Sequence, residues 1–419
     1  MNRVAVTGIG LATSLGVGTD ETWRRLVAGE SGIGAIESYD ASSLQTRQAG
    51  EITDFDPEQF ANRKTLRSMT RNDQLALAGA SLAVADSGYE FPEDGSPKAG
   101  LFVGSNKEIS NPMHILEASL VARNEDGSVD IRRLGAEASS AFYPLFYVEG
   151  LQAASIFYIS HTFGLKGSNT YFAGTAEAGA SAIGRGFRAV KRGEVDVAVA
   201  GGFDDASSWW SMTKLEPFGV LSRTECRPYD VRRSGTVLGE GTAFLVLEDL
   251  AAAQKRGARV YGELVGFGSA ADTYRVITPD PDGRALATAI GAALREGEIA
   301  PDAVQYVAAD GTGTKRGDAS EAHALRTAFG ANGAGPVASS VKPATGNLIG
   351  GAGALNIAVA VLAVANDVVP PTLNLEQPDP MCNGLDWVPR EARELPVEHA
   401  LALARGLEGQ NVAVLARAV

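Results

Sequence analysis

Cysteine is nearly absent from this chain of 419 residues: only Cys226 and Cys382 occur. A disulfide framework is therefore excluded, and a reducing compartment such as the cytoplasm is expected. Neither cysteine stands in a Cys-x-x-Cys or His-Cys spacing, so both read as inert thiols and no metal site is expected. Histidine is almost as scarce, with four residues at 114, 161, 323 and 399, each read as structural or exposed. Aromatic residues make up 7%. No apolar run is read as long enough to span a bilayer, and the first residues lack a charged-then-apolar secretory pattern. Positive charge is also short: the net charge is −13, which argues against nucleic acid or an anionic membrane as partner.

What the chain has in quantity is glycine, 49 residues, within a composition that is 45% hydrophobic. That combination suits an α/β protein with many tight strand–helix turns, and the length predicts two or three domain-sized units. Apolar strands are expected at 3–8, 99–104, 169–174 and 196–201, and again near 259–268, 304–309, 336–341 and 411–417. Helical spacing falls at 73–87 and 178–192, then near 283–296, 318–329 and 350–366. The alternation predicts stacked α/β layers in two similar halves, 1–255 and 256–419, sharing one core. The polar stretch 122–135 reads as an exposed inserted loop.

Three segments carry the chemistry. They are Ser168-Asn169-Thr170-Tyr171-Phe172-Ala173-Gly174-Thr175-Ala176-Glu177-Ala178-Gly179, Asp310-Gly311-Thr312-Gly313-Thr314 and Lys342-Pro343-Ala344-Thr345-Gly346-Asn347. Each is a strand running into a Gly/Thr-rich turn, and the first and third turns open helices, which presents backbone N–H groups at a sheet edge. In order and surroundings they resemble the three active-site motifs of the β-ketoacyl synthases. Arg3–Gly10, Thr19–Trp23, Pro217-Phe218-Gly219, Arg227-Pro228-Tyr229-Asp230, Leu238-Gly239-Glu240-Gly241 and Gly350-Gly351-Ala352-Gly353-Ala354 extend the resemblance along most of the chain.

The resemblance implies a thiolase-like five-layer α-β-α-β-α fold and an acyltransferase site built from a nucleophilic cysteine and two histidines. Here those positions hold Ala176, Asp310 and Asn347. A methyl group cannot carry an acyl chain, Asp310 places negative charge where decarboxylation needs a donor, and Asn347 donates but cannot exchange a proton. Thr175 and Ser181 are the nearest hydroxyls, with no histidine nearby in sequence to activate them. Lys342, Asp318 and Glu321 match a retained ion-pair network, with a Lys342–Glu321 pair as its simple form. The gate before the last strand reads Gly406-Leu407-Glu408-Gly409, so Leu407 stands for the gating aromatic and Glu408 for a glycine.

Within the family, the pattern looks like a chain length factor, the non-condensing ketosynthase-like subunit of type II polyketide synthases, with Ala rather than the usual Gln at 176. That implies a catalytic ketosynthase as heterodimer partner, an acyl carrier protein bearing a phosphopantetheine-linked chain, and no cofactor. Two other classes stay open: a homodimeric enzyme with repurposed acyl chemistry at Glu177, Asp310 or Lys342, and a stand-alone acyl-binding scaffold. Phe142, Leu145 and Phe146, in an aromatic run, are read as interface or tunnel residues. Met113 and Leu116 line the tunnel's far end or pack in the core. Arg63, Lys64, Arg67 and Arg71, or Arg188, Lys191 and Arg192, form either an acidic-carrier dock or solvated helix faces.

Overall fold

A computed structural model describes residues 1–106, 112–151, 153–330 and 335–419. Ten strands build its framework: β1 (Val4–Thr13), β2 (Ala99–Ser105), β3 (Asn169–Ala173), β4 (Val197–Asp205), β5 (Glu240–Asp249), β6 (Gly262–Ala271), β7 (Tyr306–Ala308), β8 (Val337–Ser339), β9 (His399–Arg405) and β10 (Gln410–Arg417). Along the first half they lie in the order β3-β2-β4-β5-β1, and along the second β8-β7-β9-β10-β6. Counted within each half, both orders are third, second, fourth, fifth, first. The pairing repeats too. In each half the third, second and fourth strands are parallel, and the fifth and first join antiparallel. The halves meet where β1 pairs antiparallel with β6.

Eight helices matter here: α1 (Arg71–Ser87), α2 (Pro112–Val121), α3 (Ile131–Ala141), α4 (Ala154–Phe163), α5 (Ala176–Lys191), α6 (Arg284–Gly297), α7 (Lys315–Phe329) and α8 (Ala352–Asn366). α1 packs on β1, β4 and β5, and α6 packs on β6 and β10. Between the two sheet halves lie α5 and α8 against each other, so the layers run helix, strand, helix, strand, helix. α8 is apolar on every face because every face is covered. The stretch Ile349–Asn366 has the length and apolarity of a membrane span, contrary to expectation, but 89% of it is buried inside the fold. It is a core helix. At Gly353 a Cβ would sit 2.3 Å from the Ala176 carbonyl, so only glycine lets α8 press against the start of α5.

The strand readings hold to within a few residues, but β5 and β9 were not expected. The stretch 122–135 is only partly loop. Arg123 and Val129 bridge across a turn, and helix α3 begins at Ile131 because Asp130 accepts the backbone N–H groups of Arg132 and Arg133.

Candidate functional site

The repeat in topology sets the site. Ala176 follows the third strand of the first half, Asn347 follows the third strand of the second, and Asp310 follows β7 beside it. All three line one cavity of about 520 Å3, within the size range of small-molecule pockets. Ala176 is 5% exposed and opens α5. Its neighbour Thr175 is the N-cap, but its hydroxyl does not cap its own helix.

That hydroxyl serves the loop 406–409 before the last strand. Thr175 Oγ1 accepts the Leu407 N–H at 2.8 Å and donates to Glu408 Oε2 at 2.8 Å. Glu177 Oε2 lies 3.3 Å from the same oxygen. The Glu177 carboxylate is wedged between two glycine backbones: a Cβ at Gly174 or Gly406 would each fall 2.1 Å from one of its oxygens. Burial, with a smaller push from the Glu408 charge, raises Glu177 to about 7. From the other side, Ile277 N–H donates to the Leu407 carbonyl at 3.1 Å. Ile277 does so with φ of 66°, an unfavourable conformation for a β-branched residue. Leu407 is thus held at both its N–H and its C=O. Ile277 was not found by sequence reading, because nothing in Val276-Ile277-Thr278 signals a left-handed residue.

Lys342 is paired differently from expectation. Its Nζ donates to Asp310 Oδ1 at 2.8 Å and to the Asp310 main-chain carbonyl, not to Glu321. Glu321 is occupied as a backbone staple, accepting the N–H groups of Asp310 at 2.7 Å and Gly311 at 2.9 Å and the Tyr229 hydroxyl at 2.8 Å. Asp318 does the same for Tyr229 N–H at 2.8 Å and Gly313 N–H at 3.0 Å, and faces Arg233 at 3.7 Å. Burial lifts Asp318 to about 7; burial and the Asp310 charge raise Glu321. Burial also drives Tyr229 well above the ordinary phenol range. Tyr229 and Arg233 belong to this network, and only Arg233 had no place in any motif. Asp310 therefore brings no net charge to the pocket: a lysine neutralises it within the protein.

Asn347 is 6% exposed. Its Oδ1 accepts the Ile349 N–H at 3.1 Å, which fixes the amide orientation. The four histidines stay outside the site: His114 meets Glu149, His161 stacks on Phe157, His399 bonds the Ala303 carbonyl and His323 is exposed. Burial pushes both thiols up to about 12.

The strand β3 is the edge strand of its half, and the expected interface residues lie on the segments between β2 and β3 in the chain. Phe142 and Phe146 meet in a tilted ring pair at 4.9 Å and, with Leu145, are half-buried, while Tyr147 is 79% exposed. Met113 and Leu116 are 47% and 46% exposed on α2, so neither is a core residue. The basic patches are largely spent internally. Arg63 pairs with Glu58, Arg71 with Glu240, Arg188 and Lys191 with Glu296, and Arg192 with Glu194. Lys64 and Arg67 are exposed.

Residues 1–253 match the model of the β-ketoacyl synthase N-terminal domain and residues 261–376 that of the C-terminal domain. The 3-oxoacyl-[acyl-carrier-protein] synthase 2 of Coxiella burnetii is 34% identical, the match covering 98% of this chain and 97% of that protein. Among solved structures, the ishigamide ketosynthase/chain length factor superposes with a TM-score of 0.89 at 29% identity, over 100% of this chain and 99% of that one. A type II polyketide ketosynthase in complex with its acyl carrier protein superposes with a TM-score of 0.85 at 26% identity, over the full length of both.

Proposed function

The chain belongs to the β-ketoacyl synthase family, and we propose that within it this is a non-condensing subunit of the chain length factor kind. It pairs with a catalytic ketosynthase in the cytoplasm and shapes the space into which an acyl carrier protein's chain grows, in type II polyketide or polyene synthesis. Its two halves, 1–255 and 256–419, share one core in that role.

One observation carries the reading: each of the three reacting positions holds a residue without the required chemistry, inside an otherwise intact frame. Ala176 offers no nucleophile. Thr175 cannot replace it, because its hydroxyl proton is directed to Glu408 and its lone pair to Leu407 N–H. Asp310 is a carboxylate bonded to Lys342 and Asn347 an amide, so neither supplies the imidazole that the family's reaction uses at these positions. The relatives in sequence are named as synthases, and similarity along a whole chain reports the frame. Condensation depends on the three positions.

The edge strand β3 supports the pairing. An edge strand whose residues are exposed or half-buried, in a fold that also exposes Tyr147 and Phe157 (79% and 61%), favours a partner. The test is intact-protein mass spectrometry. Incubated with acyl carrier protein loaded with an acyl chain, the chain should remain unmodified, and with its cognate ketosynthase it should form a one-to-one complex. A covalent acyl adduct on this chain, or a tight homodimer indifferent to the ketosynthase, would overturn the reading.

A further inference from the structure

We infer that the floor of the pocket is a binding site for a neutral head group that both donates and accepts a hydrogen bond, a primary amide or an alcohol, carried on an apolar tail. The inference rests on the non-condensing reading in one respect: the floor is free to bind because it does not react.

Two polar atoms define it. Lys342 Nζ takes Asp310 Oδ1 and the Asp310 carbonyl, which leaves Oδ2 of this 1% exposed residue without a partner among the described residues. Ile349 N–H takes Asn347 Oδ1, which leaves the Asn347 Nδ2 donors without one. Both residues line the same cavity of about 520 Å3. Polar atoms that open onto a cavity in otherwise buried residues find a partner in water or in a ligand. The floor therefore presents one acceptor and one donor, whereas a site that polarises a carbonyl needs two donors.

The head group follows by complementarity. A thioester or ketone oxygen only accepts, so it satisfies Asn347 and leaves Asp310 Oδ2 facing lone pairs. A carboxylate, like the thioester, only accepts, so it too leaves Asp310 Oδ2 facing lone pairs. An ammonium group gains little, because Lys342 already neutralises that carboxylate at 2.8 Å. An amide or hydroxyl satisfies both atoms. Around the floor, Leu215, Val220, Leu238, Ile277, Ile349 and Leu407 line the cavity and set the tail's apolar character.

Saturation-transfer NMR titrations of the full-length chain, in the assembly in which it purifies, test this with hexanamide, hexan-1-ol, S-ethyl hexanethioate and hexanoate. The amide and the alcohol should bind at least about tenfold more tightly than the thioester and hexanoate, since each mismatched head leaves a buried group unpaired. Asn347→Asp keeps the Oδ1 that holds Ile349 and, once ionised, removes the donor, so above neutral pH it should abolish the preference, with circular dichroism confirming that the variant still folds. Equal affinities, a preference for the thioester, no binding of hexanamide, or a preference surviving in Asn347→Asp would each overturn the inference. These outcomes are separate from acylation: an unmodified chain that forms its complex yet ignores hexanamide refutes only the binding site.

Discussion

Lys342→Met tests the central electrostatic arrangement. Lys342 and Asp310 are 2% and 1% exposed, with Nζ and Oδ1 2.8 Å apart. At that separation the gross attraction is about 6 kcal/mol for an effective dielectric of about 20. Most of it repays the cost of taking both ions out of water. Removing one partner leaves the other uncompensated, and such truncations cost about 3–5 kcal/mol. Unfolding entropy of about 2 cal/mol/K per residue makes that a fall in Tm of roughly 3–6 °C for a chain of this length that melts as one unit. Differential scanning calorimetry and urea denaturation at fixed protein concentration measure it. The double variant Lys342→Met with Asp310→Leu should regain much of the loss, because no lone charge remains buried. Lys342→Met with Glu321→Gln should not, because Glu321 holds backbone N–H groups and Tyr229 rather than the lysine. A loss below about 1 kcal/mol for Lys342→Met, or rescue by Glu321→Gln instead of Asp310→Leu, would refute the pairing.

Glu177, raised to about 7 by burial, keeps its proton in the fold after the unfolded chain has lost its own near 4.5, so stability should fall as pH rises from about 4.5 to 7 and level off above. Glu177→Gln should flatten that part of the profile in thermal melts taken across pH; an unaltered slope would exclude Glu177 as a source. Thr175→Val removes both hydrogen bonds to the gate loop, and amide exchange in peptides covering 405–411 should accelerate roughly tenfold or more, as expected when about 1–2 kcal/mol of local protection is lost. Phe146→Ala, in complex with the ketosynthase, should leave the assembly intact and lengthen the products; unchanged products with a drop in stability of about 3–5 kcal/mol would make Phe146 a packing residue instead.

The layers were legible because their signals are local. Long apolar strands and the 3.6-residue periodicity of 178–192 and 283–296 survive in sequence whatever they pack against. β5 and β9 were missed for a physical reason. Glu240–Asp249 begins and ends with acidic residues, and His399–Arg405 owes its apolarity to alternating Ala and Leu, which carries little β-propensity. Motif order pointed to Ala176, Asp310 and Asn347, which line one cavity, but not to their partners. Thr175 meets Glu408 across 233 residues, and Lys342 meets Asp310 across 32. Sequence reading placed Lys342 with Glu321 because a buried lysine needs a carboxylate and two acidic residues stood in the motif. It could not see that both were already committed to backbone N–H groups.

That commitment explains why the frame can outlast the chemistry. Asp318 and Glu321 together accept the N–H groups of Tyr229, Asp310, Gly311 and Gly313, which shape the turn after β7. Removing either carboxylate would strand buried donors at about 1–3 kcal/mol each, a folding cost that falls equally on a condensing and a non-condensing chain. Their presence therefore says nothing about catalysis. Ala176, Asp310 and Asn347 differ in kind. The Ala176 methyl holds no backbone group in place, so nothing in the fold requires a cysteine there. Asp310 and Asn347 each meet a local need, for Lys342 and for Ile349 N–H respectively, that does not require a histidine. Positions where the fold does not require the family's catalytic residue are the ones whose identity bears on function, and the proposed non-condensing role rests on all three.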